Sequence, residues 1–199
     1  MNMCALTGAL PYAYEYNGRV YEMQTDFREW IKFELLLRDP DIIMEDKIRR
    51  LEEIIFPEIP KSADLWEFII WFYNCGKVHA DYTESKASEK KSPVKNQFNV
   101  YSFEYDFGYI YAAFLELYGI DLVEIPYLHW WKFKSLFMSL HDCQFTDIVG
   151  YRSEKITSKT PEYRKEFLTR AKKMYALPRS LSEQQKIDEL KRIKEQMGY

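Results

Sequence analysis

A mainly α-helical fold is predicted from three observations. Glycine is scarce, 7 in 199 residues, which argues against a strand-and-turn-rich architecture. Apolar residues recur at i, i+3 and i+4 in segment after segment, the spacing of one helix face. Only one place, Asn17-Gly18, reads as a tight β-turn. We therefore expect a helical bundle of six to eight helices with an N-terminal β-hairpin. Hydrophobic residues at 47% and charged residues at 30% suit a folded domain with its own core, and aromatics stand out at 17%.

The hairpin comes first. In YAYEYNGRVYEMQ (Tyr12 to Gln24), Asn17-Gly18 separates two short alternating segments and tolerates the positive φ angles of a two-residue turn. Two strands alone are marginal, so they must lean on helices. Thr25-Asp26 opens TDFREWIKFELLL: Thr25 is the expected cap, Asp26 favours the positive end of the dipole, and Phe27, Trp30, Ile31, Glu34 and Leu35 share a face. Asp39-Pro40-Asp41 breaks this helix. A second, about Ile42 to Ile55, carries Ile43, Lys47, Leu51 and Ile54 and ends before Pro57 and Pro60.

SADLWEFIIWFYNCG, from Ser62 to Gly76, is the third helix, and only Glu67 and Asn74 make a polar side. Such a helix is buried or faces a partner. FEYDFGYIYAAFLELY (Phe103 to Tyr118) has Phe103, Phe107, Ile110, Phe114 and Leu117 on one face. Gly108 and Ala112 sit on another, where a neighbouring helix is expected to approach, and Gly119 stops the helix. Pro126 suits the first turn of the next helix, which runs to Leu140. In it Trp130, Phe133, Phe137 and Leu140 cluster, whereas Trp131 points about 100° away with Tyr127 and Met138. The adjacent tryptophans thus face different neighbours, Trp130 inward and Trp131 open to either core or partner. Thr146 caps a short helix through Tyr151. Pro161 starts another with Tyr163, Phe167 and Met174 on its apolar side. A last one, opened by Ser180 and Glu183 as a capping box, has a thin stripe of Ile187, Leu190, Ile193 and Met197.

Two stretches stand apart from the bundle. Residues 77–99 are rich in Lys, Ser and Glu and nearly free of large aliphatics, a flexible insertion by composition. We expect one helical domain over 1–178, with the hairpin and this insertion, followed by a C-terminal helical tail over 179–199. The charge is uneven: from Tyr151 onward 13 Lys and Arg face 7 Asp and Glu, leaving 15 bases against 24 acids before it. An ionic partner for the basic arm and attraction between arm and body both account for this.

Chemistry is sparse. Cys4, Cys75 and Cys143 are too few and too far apart for a disulfide framework or zinc site, and fit a reducing cytosol. His129 and His141 fall about 120° apart on one helix and do not converge, while His79 lies in the insertion. Glycine-rich phosphate loops are missing. No run of about 18 apolar residues is present, and the N-terminus lacks the pattern of a signal peptide. We expect no catalytic, cofactor-binding or metal-binding residues, and no membrane partner. Nucleic-acid binding rests on Arg164, Lys165, Arg170, Lys172 and Lys173 interleaved with Tyr163, Phe167 and Tyr175, a pattern that a solvated amphipathic helix explains as well.

Five segments together resemble a known family: YEMQTDFREWIKFE (21–34), WFYNCGK (71–77), FEYDFGYIYAAFLELYGIDL (103–122), YLHWWKFKSLFMSL (127–140) and IVGYRS (148–153). They are similar to the "gene product fifteen" family of siphophages and prophages of Gram-positive bacteria, over about Leu10 to Leu177. The resemblance implies a non-enzymatic tail-module protein, made in the bacterial host cytoplasm. Genes of the family typically neighbour the tape-measure gene, the place of tail assembly chaperones. It implies the phage tape-measure protein as partner, with the tail-tube protein and self-association as further contacts. On that expectation Ile187, Leu190 and Met197 are candidate client-binding residues, with Trp131 and Trp71 beside them. A structural virion component (connector, neck or tail terminator) and a nucleic-acid-binding or nuclease protein are the competing readings.

Overall fold

The computed structural model describes residues 8–39, 41–60, 65–77 and 100–178. Within these are one β-hairpin and seven helices, so the chain is mainly α as its sequence predicts. Strands β1 (Ala13–Tyr16) and β2 (Arg19–Glu22) pair antiparallel, Tyr14 opposite Tyr21. Asn17 and Gly18 take φ of 51° and 75°, the turn that the dipeptide predicts. The helices are α1 (Phe27–Arg38), α2 (Met44–Ile55), α3 (Trp66–Tyr73), α4 (Phe107–Tyr118), α5 (Trp130–Met138), α6 (Gln144–Ser153) and α7 (Glu162–Met174). The predicted insertion beyond Lys77 and the tail with Ile187, Leu190 and Met197 lie outside the described residues.

Helices α1, α3 and α5 meet in a core of aromatic rings. Trp30, Phe33, Phe72, Trp130 and Phe133 are all but fully buried. Trp30 lies 4.6 Å from Phe72 and 6.2 Å from Trp130, ring centre to ring centre, within the range of favourable aromatic pairs. Phe133 continues the stack to Phe27 at 4.7 Å and to Phe114 at 5.3 Å. Helix α2 packs on α1, α4 on α6 and α6 on α7.

Two buried ionic clusters tie the elements together. Glu34, on the apolar face of α1, is 2% exposed. It pairs with Arg38 and accepts from the hydroxyls of Tyr73 at 2.6 Å and Tyr101 at 3.3 Å. Burial first, then the Glu34 charge, pushes both phenols above their ordinary range, so they remain neutral donors. In the second cluster Arg152 binds Asp106 through two N–H groups at 2.6 and 2.8 Å and also donates to the carbonyls of Val100 and Tyr175. One side chain thereby joins α6, the start of α4, the end of α7 and the chain entering at Val100.

Several local expectations are corrected. Asp26, not Thr25, caps α1, and Thr25 instead bonds the Tyr127 hydroxyl at 2.7 Å. Helix α5 starts at Trp130 rather than near Pro126, because His129 caps it. Cys143 precedes α6, and Thr146 is the third residue of its first turn, bonding back to the Cys143 carbonyl at 2.8 Å. Ile43 is 64% exposed, and the buried stripe of α2 is Lys47, Leu51 and Ile55. The face of α4 with Gly108 and Ala112 is open: nothing among the described residues lies within 4 Å of a Cβ placed at Gly108. Finally, Tyr163, Phe167 and Met174 point outward at 75%, 40% and 74% exposure, and Leu168 and Ala171 form the buried side of α7. Among the described residues α6 is the helix that packs most on α7, so few buried positions suffice, and periodicity alone cannot tell which apolar stripe is covered.

Candidate docking groove

The starts of α1 and α5 form one junction. Backbone bonds link Phe27 N–H to Leu128 carbonyl at 2.9 Å and Trp130 N–H to Thr25 carbonyl at 2.8 Å. The Asp26 carboxylate accepts the N–H of Arg28, which caps α1, and also that of Leu128 at 3.1 Å. His129 does the same work for α5. Its Nδ1 accepts the Trp131 N–H at 3.1 Å, so its Nε2 carries the hydrogen and donates to the Pro11 carbonyl at 3.0 Å. Burial holds the ring's pKa below the usual histidine value, which keeps it in this neutral form.

The paired tryptophans finish α3. Trp131 donates its indole N–H to the Phe72 carbonyl at 2.8 Å, and Trp130 donates to the Tyr73 carbonyl at 3.0 Å. Both carbonyls lie in the last turn of α3, where a helix leaves acceptors without internal partners. Lys134 adds a second donor to the Tyr73 carbonyl at 3.1 Å. The chain then reverses through Cys75 and Gly76, at φ of 57° and 78°. Gly76 is required twice over: for that angle, and because a Cβ there would sit 2.9 Å from the Trp131 ring. Two of the sequence-predicted partner residues are thus placed. Trp131 is 6% exposed and packs edge-on against Trp71 at 5.5 Å, while Trp71 is half-buried. Trp131 is thus enclosed against Trp71 and Gly76, whereas Trp71 keeps part of its surface exposed. Ile187, Leu190 and Met197 lie outside the described residues.

The same junction holds open a groove elsewhere. Between α1, α4 and the segment after α4 runs a cleft of about 410 Å³, within the about 300–1,000 Å³ of typical binding clefts. Phe27, Ile31, Phe103, Phe107, Ile110, Leu122, Val123 and Phe133 make it almost wholly apolar. Its outer lip is solvent-facing, Phe107 at 50% and Val123 at 58% exposure. The lip is held in place by polar contacts beneath it. Arg28 donates to the carbonyls of Leu122 at 3.1 Å and Ile125 at 2.6 Å, and its guanidinium lies 4.7 Å from the Phe27 ring centre. Asp121 accepts the N–H groups of Val123 and Glu124 and the Tyr111 hydroxyl, and these bonds hold its pKa below the usual carboxylate range. Beyond the groove the apolar surface continues round α4 over Phe107, Tyr111 and Leu115.

Sequence reasoning placed Phe107 and Ile110 on an inward stripe and passed over Leu122 and Val123. The available signal was that α4 is apolar round more of its circumference than one packed face requires. Among the described residues no group of His, Cys, Asp and Glu is placed to hold a metal ion, and no helix is long and apolar enough to cross a membrane. An apolar groove of this shape is the kind of surface into which the apolar face of a helix can be laid. Neither a curated protein nor a solved structure matches the chain. The family described as Bacteriophage Gp15 protein matches over residues 6–177, nearly the whole length, and the chain belongs to it.

Proposed function

We propose that the protein is a phage tail assembly factor, a chaperone that holds the tape-measure protein during tail morphogenesis in the host cytoplasm. The observation that carries this is the α1–α4 groove: a preformed apolar cleft with an exposed lip, on a chain of a bacteriophage family. A long helical client presents apolar side chains at i, i+3, i+4 and i+7, and an apolar groove receives such a stripe. Phe107 and Val123 form the accessible wall, and Arg28 and Lys32 rim it with positive groups. No catalytic step is part of this function.

Co-expression with the tape-measure protein from the neighbouring gene tests it, read by size-exclusion chromatography. A soluble complex is expected, from a client that is insoluble alone. The double substitution Phe107→Asp and Val123→Asp changes only exposed side chains. It should weaken the complex at least about tenfold by placing charges against apolar client residues. Absence of a complex, with the protein found instead in purified virions, would replace this reading by that of a structural tail or neck component.

A further inference from the structure

Two other surfaces of the molecule match each other. The first is the outer side of α7. Tyr163, Phe167, Arg170 and Met174 are spaced i, i+4, i+7 and i+11, so they form a single ridge down the helix. Tyr163 and Met174 are about three-quarters exposed, and Arg170 and its flanking Lys173 are exposed too. The surroundings are basic: residues 151–178 hold eight Lys and Arg against three Asp and Glu, and one of the eight, Arg152, is buried and bound to Asp106. Aromatic residues, methionine and arginine are the types enriched where proteins meet. Single exposed apolar residues need no explanation, but three aligned on one helix, Tyr163, Phe167 and Met174, do.

The second is a groove of about 510 Å³ along α2 and the turn after it. Ile48, Phe56, Pro57 and Ile59 form its apolar floor. Glu45, Glu52 and Glu53 line it with carboxylates, and among the described residues Arg49 is the cation beside them. The stretch 41–60 holds six acids against three bases, and one of those, Lys47, is buried and bound to the Leu37 carbonyl. Helix α2 packs on α1 and α7 packs on α6, so within one copy the ridge and the groove do not cover each other.

We propose that the α7 ridge of one copy seats in the α2 groove of the next, so that the chain associates head to tail. The ridge brings an apolar edge with positive flanks, and the groove brings an apolar floor with negative walls. The sign pattern also argues against like-to-like pairing, since two ridges repel and two grooves repel. A contact between two different faces does not close as a twofold dimer. It propagates into a ring or an open array. The association is independent of the α1–α4 groove, which stays accessible in every copy.

The test is sedimentation velocity on the full chain over a concentration series, at about 50 mM and about 500 mM salt, a range over which exposed charges become screened. Species larger than a dimer should grow with concentration and shrink with salt. The ridge variant Tyr163→Ser/Arg170→Ser/Met174→Ser and the groove variant Glu45→Lys/Glu53→Lys should each stay monomeric alone. Mixed in equal amounts they should form a one-to-one dimer and stop there, because each retains one good face. That restoration also shows that both variants are folded. Four results overturn the proposal: a wild-type chain that is monomeric throughout; a discrete dimer that neither variant disturbs; a mixture that does not pair; or association only after residues 179–199 are removed, which assigns the ridge to the chain's own tail.

Discussion

Arg152→Met is the most informative single perturbation of the fold. The Arg152 side chain is 9% exposed and its partner Asp106 is 1% exposed, so neither charge is solvated. Methionine keeps most of the volume but removes both N–H donors to Asp106 and the donors to the Val100 and Tyr175 carbonyls. One compensation persists, because the Ser102 N–H still donates to Asp106 at 2.9 Å. Removing one partner of a buried ion pair costs about 3–5 kcal/mol. We expect a loss of about 4 kcal/mol, roughly a quarter or more of the about 5–15 kcal/mol that holds such a domain folded. Guanidinium chloride unfolding followed by circular dichroism measures it through the shift of the midpoint at unchanged slope. The double variant Arg152→Met/Asp106→Leu should regain part of the loss, since two apolar side chains replace a buried pair better than one orphaned carboxylate does. A loss under about 1 kcal/mol for Arg152→Met would refute the reasoning, because it would mean that Asp106 is solvated in the folded chain.

Three further predictions concern His129, Gly76 and Glu34. His129 accepts a backbone N–H and is held below its usual pKa. The unfolded chain therefore takes up the proton first, and the His129 contribution is full above about pH 6.5 and declines as pH falls, by at most about 1.4 kcal/mol per unit. His129→Asn keeps a capping side chain without the titration, so urea midpoints measured from pH 7.5 to 5.5 should fall less steeply than for the wild type. Gly76→Ala should cost about 2 kcal/mol or more from its left-handed angle together with the 2.9 Å approach to Trp131, and should alter the tryptophan near-UV spectrum. Glu34→Leu removes the acceptor of Tyr73 and Tyr101 and the partner of Arg38 and should cost about 3 kcal/mol in thermal or chemical unfolding. Glu34→Gln retains an acceptor for the phenols and should cost clearly less.

The helices and the hairpin were legible because each rests on local rules. Asn17-Gly18 specifies its turn, Gly119 its left-handed cap at φ 64°, and Trp130, Phe133, Phe137 and Leu140 their shared buried face. The caps were misplaced by one to four residues wherever the deciding partner is distant in sequence. Thr25 looks like a better cap than it is because Tyr127, 102 residues away, takes its hydroxyl. The helix after Pro126 starts late because His129 turns to Pro11, 118 residues back. The candidate docking surface was the least legible part. Exposure of Phe107 and of the α7 stripe depends on which helices fail to cover them, and a periodic pattern states only that a face is apolar.

The segments that carry the family resemblance also show where function has to lie. TDFREW and YLHWW are two halves of one junction, with Asp26 and His129 capping the helices that start there. WFYNCG supplies the carbonyls that Trp130 and Trp131 satisfy and the glycine that Trp131 packs on. The Asp106 of FEYDF and the Arg152 of GYRS are the buried ion pair. The most distinctive residues are therefore occupied holding the frame together and face inward, which explains why Trp131, first singled out as partner-binding, is buried. What the frame leaves outside is the lip of the α1–α4 groove, the α2 groove and the α7 ridge. All three combine apolar surface with charge. Substitutions on these three surfaces should change what the protein binds and leave unfolding midpoints within about 0.5 kcal/mol of wild type. Substitutions in the junction should do the reverse, lowering stability first and binding only through it.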